Sequence, residues 1–356
     1  MSTNIKRILQ FLVFIGLGVG IMYLVFRSQN TAFQEQCRLD GVAPADCRLV
    51  DKLWADFTSV SPFWMMLVML AFTVSNLFRA LRWQMLTAPM GHHISLANSF
   101  LPILLGYFAN LGFPRLGEIM RAGALSRYEN IPFEKVIGTL VIDRFMDFLC
   151  LLLVLALAFL FEADTLWAFM QQQQGARPDS GGPLSSPWVQ ALLVLMVVGG
   201  VLSWVFRARL LATPLFQKIA GMVEGFWVGL RSVFTMSSPG LFIAYSLGIW
   251  LMFYLQAYFN LRAFGPTAHL GLQAALMVFV FGTMGFLIPS PGGMGTYHAL
   301  CIAGLSLYGI KGNDAFSYAN ISFFAVQIFY NLVGGMLALL LLPWINRKPR
   351  AGVSTS

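Results

Sequence analysis

Two short stretches constrain this chain more than any others: Phe113-Pro114-Arg115-Leu116-Gly117-Glu118-Ile119-Met120-Arg121 and Ile288-Pro289-Ser290-Pro291-Gly292-Gly293-Met294-Gly295. Each breaks an apolar run of membrane depth. Proline removes a backbone donor and disfavours helix in the residue before it, and consecutive glycines weaken helix further. Lipid offers no partner to the N–H and C=O groups so freed, so such a break must be enclosed by protein or line a polar cavity. A pair of breaks at matching places in two halves is the pattern of a translocation site built from discontinuous helices.

The surrounding sequence supplies the membrane. The chain is 58% hydrophobic and 11% charged, with mean hydropathy +0.71, whereas soluble domains carry about 25% charge. Runs long enough to cross, about 17–25 residues, lie near 8–26, 62–78, 136–161, 188–206, 240–260 and 315–342, and two further runs, 96–112 and 271–310, hold the breaks. The expected fold is an all-α polytopic membrane protein of six to eight transmembrane helices. The net charge of +8 would suggest nucleic acid on a soluble protein. Here the positive residues gather in short connections between apolar runs, so no nucleic-acid partner is expected.

Sidedness follows from those positives. With the amino terminus inside and both broken runs re-entrant, fifteen Lys/Arg fall on the inner side, among them Lys6, Arg7, Arg79, Arg82, Arg115, Arg121, Arg127, Arg347 and Lys348. Seven fall outside among nine acids, and Arg144 lies within a span. The positive-inside rule then places both termini in the cytoplasm. The first run, preceded by Lys6 and Arg7, is longer than a signal-peptide core and reads as a retained anchor. Cys37 and Cys47 share the first outside loop, where an oxidising compartment favours a disulfide; Cys150 and Cys301 sit in apolar runs and read as packing residues. Residues 214–235 have the apolar spacing of an amphipathic helix, read as lying in the inner interface or as docking a cytoplasmic partner.

The two halves repeat an order of events. A span at 62–78 leads to Leu81-Arg82, His92-His93, a run broken at Phe113-Pro114, and a span from 136. A span at 240–260 leads to Leu261-Arg262, His269, a run broken at Ile288-Pro289, and a span from about 315. The first unit begins outside and the second inside, so the arrangement is an inverted repeat of two hairpins. The alternative is that 271–288 and 296–310 are two ordinary spans. One transmembrane domain over 1–356 is expected: anchor and outside loop to 61, first repeat 62–161, connector 162–239, second repeat 240–345, and a basic tail.

The first break carries charge. Arg115, Glu118 and Arg121 follow Pro114 at helical spacing, leaving one carboxylate between two guanidiniums. Arginine's planar fork suits phosphate, and a helix N-terminus adds attraction for an anion. The pattern fits a lipid-phosphate site or an ordinary positive-inside loop. The second break, with Pro289, Ser290, Gly292, Gly293 and Gly295, fits either an anion-binding nest or a tight turn between helices. Asp143, Arg144 and Asp147 lie two to three turns into the span after the first break. Ionisable groups there need a partner or a wet cavity, and this triad, net −1, calls for one more cation, with Arg115 or Arg121 as candidates. It reads as part of a site or as a structural ion network. Gln327, Asn331 and Gly334-Gly335 are the weaker counterpart in the second half. No metal-ligand spacing, nucleophile–base set or nucleotide loop is present in the sequence, so neither a cofactor nor an enzymatic activity is expected.

At these residues the chain resembles the flippase-like membrane family that includes the transmembrane part of lysylphosphatidylglycerol synthase, the multiple peptide resistance factor. Two patterns carry the likeness: Pro-Arg-Leu-Gly-Glu-x-x-Arg at Pro114 to Arg121 followed by Asp143-Arg144-x-x-Asp147, and Pro-x-Pro-Gly-Gly-x-Gly at Pro289 to Gly295. The resemblance implies a protein of the bacterial inner membrane that moves a phospholipid or lipid-linked headgroup between leaflets, and leaves a homo-oligomer open. Where the family usually has Glu, three residues past Gly295, this chain has His298, a residue type whose unperturbed side chain titrates near neutral pH. No counterpart of the synthases' soluble domain is read here, so lipid lysylation does not carry over. The rival expectation is a lipid-linked glycosyltransferase, or an accessory subunit of envelope assembly, working through Asp46, Asp51 and Asp56 of the outside loop.

Overall fold

Long apolar stretches with few helix breakers dictate helix, because only a helix satisfies its own backbone in hydrocarbon. The computed structural model describes residues 47–112, 116–175, 238–288, 290, 293–310 and 312–347, with a few positions between 23 and 34. Among these, α1 is Leu49–Ser59, α2 Pro62–Thr87, α3 Leu96–Gly112, α4 Leu116–Glu129, α5 Phe133–Gly175, α6 Pro239–Ala263, α7 Leu272–Leu287, α8 Thr296–Ser306, α9 Gly312–Phe323 and α10 Asn331–Ile345. A π-helical turn, Phe324–Tyr330, joins α9 to α10. Among the described residues, four segments are long and apolar enough to cross a membrane: Pro62–Met90, Phe133–Ala163, Pro239–Ala263 and Gly312–Ile345. The protein is therefore an all-α polytopic membrane protein. The expected runs 8–26 and 188–206, and the amphipathic stretch 214–235, lie essentially outside the described residues.

Chain contacts separate two compact units, 1–161 with 240–356, and 162–239. In the first unit, α3/α4 and α7/α8 form two helical hairpins. The arms hold 17 and 14 residues in one and 16 and 11 in the other. At 1.5 Å per residue these arms are roughly 17–26 Å long, short of the ~30 Å hydrocarbon core. Each hairpin is zipped by glycine. A Cβ on Gly106 would stand 2.8 Å from the Gly117 carbonyl oxygen, and one on Gly285 would stand 2.6 Å from Tyr297 Cα. The same antiparallel register continues outward, through Asn98 donating to Glu129 at 2.8 Å in the first hairpin. In the second it continues through Gly304 against Phe281. In the second break Gly293 and Gly295 have φ of +81°, a conformation L side chains rarely adopt.

The π-helical turn and α10 pack along α2 and α3. Gly335 lets α10 come so close to α3 that an added Cβ would overlap Phe108. At the other end, Lys52 of α1 reaches Asp56 at 2.8 Å and Asp314 of α9 at 3.0 Å. Burial opposes the Lys52 charge, but its two carboxylate partners outweigh burial and leave its pKa raised. A raised pKa means the contact stabilises at neutral pH and is lost only as pH climbs through that raised value. Lys52→Gln is expected to cost about 0.5 kcal/mol, read as a small fall in melting temperature that vanishes at strongly alkaline pH. Cys47 is disulfide-bonded; Cys37 lies outside the described residues, and Cys150 and Cys301 are free and buried, as packing residues would be.

Candidate functional site

Helical spacing brings the charges together. On α2, Arg79 and Arg82 are one turn apart; on α5, Asp143 and Asp147 share a face; α4 turns Arg121 toward them. Arg82 grips both aspartates, Asp143 in a short contact and Asp147 at 2.7 Å. Arg79 donates to Asp147 at 3.0 Å, and Arg121 to Asp143 at 2.7 Å. All five side chains are buried or nearly so. Arg121 also lies over the Trp83 ring, 5.1 Å from its centroid, while Trp83 Nε1 donates to Thr139 Oγ1 at 2.8 Å and pins α2 to α5. Arg82 extends the network to α6 by donating to Ser246 Oγ at 3.2 Å. Three buried guanidiniums thus face two buried carboxylates, and the core of the network is positive.

Arg144 completes it from outside. Its side chain is 46% exposed and sits 3.0 Å from Glu118 and 3.4 Å from Asp147. Glu118 therefore pairs with Arg144 of α5, not with Arg121 on its own helix. The cation that the Asp143/Arg144/Asp147 triad called for is supplied by Arg121, as one of the two candidates. Arg115, the other, lies with Phe113 and Pro114 outside the described residues. The sequence marks Arg79 and Arg82 as inner-side positives, and Arg82 also as a landmark of the repeat; in the fold they are the principal partners of the aspartates. Their i, i+3 spacing at the end of an apolar span, opposite a net-negative triad, was the signal that could have found them.

The second break is closed on itself. Thr296 Oγ1 donates to the Gly285 carbonyl at 2.8 Å and lies 2.9 Å from Ser290 Oγ, and Gly293 N donates to the Ser290 carbonyl at 3.2 Å. Thr296 organises this turn and went unnoticed in the sequence. Pro289, Pro291 and Gly292 lie outside the described residues. His298 is wholly buried, its ring 4.8 Å from Phe323 and 5.8 Å from Tyr297, and it does not reach the cavity described next.

A cavity of about 470 Å³ connects the charge network to the second hairpin. Arg79, Arg144 and Asp147 form one part of its wall, and Gly282, Thr283 and Tyr297 another. Tyr107 brings in the first hairpin, and the π-helical turn presents Gln327. Such turns widen a helix by one residue and recur at functional sites. Asn331, one turn on, donates to Gln327 Oε1 at 3.2 Å, whereas Gly334 and Gly335 pack against Leu104 and Phe108 of α3. Phe148, Phe286 and Leu287 also line the cavity and are exposed on the apolar flank, so the space opens sideways. The arrangement can hold an anionic group against arginine while its apolar remainder stays in hydrocarbon.

No solved structure matches the chain. A UPF0104 membrane protein of Methanocaldococcus jannaschii is 28% identical over 101 residues, covering 28% of this chain and 30% of the relative. The match thus spans under a third of that relative's length. The family model described as the lysylphosphatidylglycerol synthase TM region matches residues 47–334, which include α1 to α9, both breaks and the whole arginine–aspartate network. The chain belongs to the family of the lysylphosphatidylglycerol synthase transmembrane region.

Proposed function

We propose that this protein is a lipid translocase, carrying a phospholipid or a related lipid-linked headgroup between the leaflets of the bacterial inner membrane. The observation that carries the reading is the sideways-open cavity whose wall joins Arg79, Arg144 and Asp147 to the second hairpin. A lipid crossing a bilayer needs a wet, charge-complementary route for its head beside an apolar exit for its chains. The α3/α4 and α7/α8 hairpins, each too short in its arms to span, enter from opposite faces, with both termini in the cytoplasm. The family assignment favours the same reading.

Within it the arginines divide their work. Arg79, Arg82 and Arg121 are committed to Asp143 and Asp147 and hold α2, α4 and α5 in register. Among the described arginines of the network, Arg144, half exposed at the cavity wall, is the guanidinium left to meet the headgroup phosphate, with Glu118 as the partner it exchanges. Of the acids an enzymatic alternative would use, Asp51 lies 3.6 Å from Arg48 and Asp56 lies 2.8 Å from Lys52, while Asp46 lies outside the described residues.

The test is leaflet exchange of labelled phosphatidylglycerol in proteoliposomes. Arg144→Gln removes one charged hydrogen-bonding group, worth about 1.5–3 kcal/mol, so exchange should fall about tenfold or more, with Arg144→Lys intermediate. Both variants should keep the wild-type melting temperature within about 2 °C, because a half-exposed pair contributes little stability. Exchange at the wild-type rate in Arg144→Gln overturns the assignment of Arg144. No exchange by the wild-type protein overturns the translocase reading.

A further inference from the structure

A second hollow, about 340 Å³, lies beside the cavity. Its lining is almost entirely apolar: Leu153 and Leu157 of α5, Leu247 and Leu251 of α6, Leu272 and Leu276 of α7. Leu153, Leu247, Leu251 and Leu272 are exposed on the apolar flank, so in a bilayer the hollow is open to lipid. It is not separate from the cavity. Trp250 and Phe279 line both spaces, their rings packed edge to face with centroids 5.9 Å apart. One pair of aromatic side chains is therefore the partition between a charged compartment and a hydrocarbon groove.

The partition carries an unpaired polar atom. Trp250 is 8% exposed, and its indole N–H has no hydrogen-bond partner among the described residues. A buried donor left unsatisfied costs about 1–3 kcal/mol, and tryptophan's N–H usually finds a partner when buried. The missing acceptor belongs at the boundary between a polar head and an apolar chain. In a phosphoglyceride that boundary is occupied by ester carbonyl oxygens.

We propose that the α5/α6/α7 groove is the acyl-chain subsite of the transported lipid, with Trp250 and Phe279 as the sill over which chain and headgroup join and Trp250 Nε1–H as donor to the ester. The proposal rests on the translocase reading for its headgroup compartment and adds the substrate class: a glycerolipid with a fatty acyl chain, entering sideways between α5 and α7. The occupant is a bilayer acyl chain, because the groove faces lipid, lacks charge, and is continuous with the compartment that holds the phosphate. The chain need not leave hydrocarbon. Only the head crosses through the cavity, and the tail follows along the groove.

The experiment reads tail position without requiring transport. Full-length protein is reconstituted in phosphatidylglycerol/phosphatidylcholine vesicles containing a trace phosphatidylglycerol with a mid-chain diazirine, irradiated, and its adducts mapped by mass spectrometry. Adducts at Leu153, Leu157 and Leu276 should exceed those at Leu337 and Leu340 of α10 severalfold, although the latter two are 48% and 70% exposed. Trp250→Phe keeps the ring and removes the donor, and should cut that enrichment about fivefold; Leu276→Trp fills the groove and should abolish it. Equal labelling of groove and α10 in the wild-type protein overturns the proposal, as does enrichment that survives both substitutions. Leaflet exchange measured on the same vesicles keeps the two readings apart: enrichment without exchange sinks the translocase reading alone, and exchange without enrichment sinks the subsite alone.

Discussion

Replacing Asp143 by asparagine is expected to destabilise the protein by about 3–5 kcal/mol, the cost typical of removing one partner from a buried ion network. The side chain of Asp143 is 1% exposed and lies within salt-bridge distance of Arg79, Arg82, Arg121 and Arg144. Asparagine keeps the shape and loses the charge, so three buried guanidiniums would be left facing Asp147 alone, and the new amide would point hydrogens at donors. In detergent the melting temperature should fall by about 4–7 °C, followed by fluorescence-detected size exclusion after heating. Arg121 donates to the same carboxylate, and its own substitution is Arg121→Gln. Combined with Asp143→Asn it removes one of the stranded cations, so the double variant should be more stable than Asp143→Asn alone, the signature of a coupled pair. A fall of under 2 °C in Asp143→Asn would mean that the network is not what holds α2, α4 and α5 together.

This network also shows what the sequence could and could not disclose. Asp143, Arg144 and Asp147 stood out because charge inside an apolar run is costly wherever its partner lies. Period 3.6 put the two aspartates on one face, and charge balance asked for a further cation. The partner's identity is a tertiary fact: α2 and α5 are some sixty residues apart, and the i, i+3 spacing of Arg79 and Arg82 at the end of a span marks a candidate pair without saying which acids it meets. The breaks at Pro114 and Pro289 were legible as chemistry of proline and glycine. The hand-over of Glu118 from its own helix to Arg144 was not, because it depends on how α4 rolls against α5. His298 sat where its neighbours pointed to function, yet the fold buries it among Phe323 and Tyr297. The π-helical turn that presents Gln327 leaves no sequence signal, since an ordinary apolar run surrounds it.

Glycines at the hairpin seams carry the second large effect, and they separate contact from propensity. Gly285→Ala would set a methyl 2.6 Å from Tyr297 Cα and 2.9 Å from Tyr297 N and the Thr296 carbonyl oxygen. All of these are backbone atoms, which cannot swing aside, so α7 must part from α8. Gly117→Ala would likewise collide with the Gly106 carbonyl oxygen and with Asn110, whose Oδ1 accepts from Gly117 N at 2.8 Å. Overpacking of this kind costs about 1–3 kcal/mol. Parting either hairpin also shifts the cavity wall at Gly282 and Tyr297 or at Tyr107, so leaflet exchange should fall about tenfold or more even in protein that still elutes as folded. Gly123 and Gly138 lie in α4 and α5 with nothing within 4 Å of an added Cβ. There alanine relieves the entropy cost of glycine in a helix, and Gly123→Ala and Gly138→Ala should be neutral or more stable by about 0.4–1 kcal/mol, with exchange unchanged. If the seam variants exchange lipid as fast as these two, the close packing of the hairpins does not shape the pathway, and the cavity they line is a packing defect in place of a route.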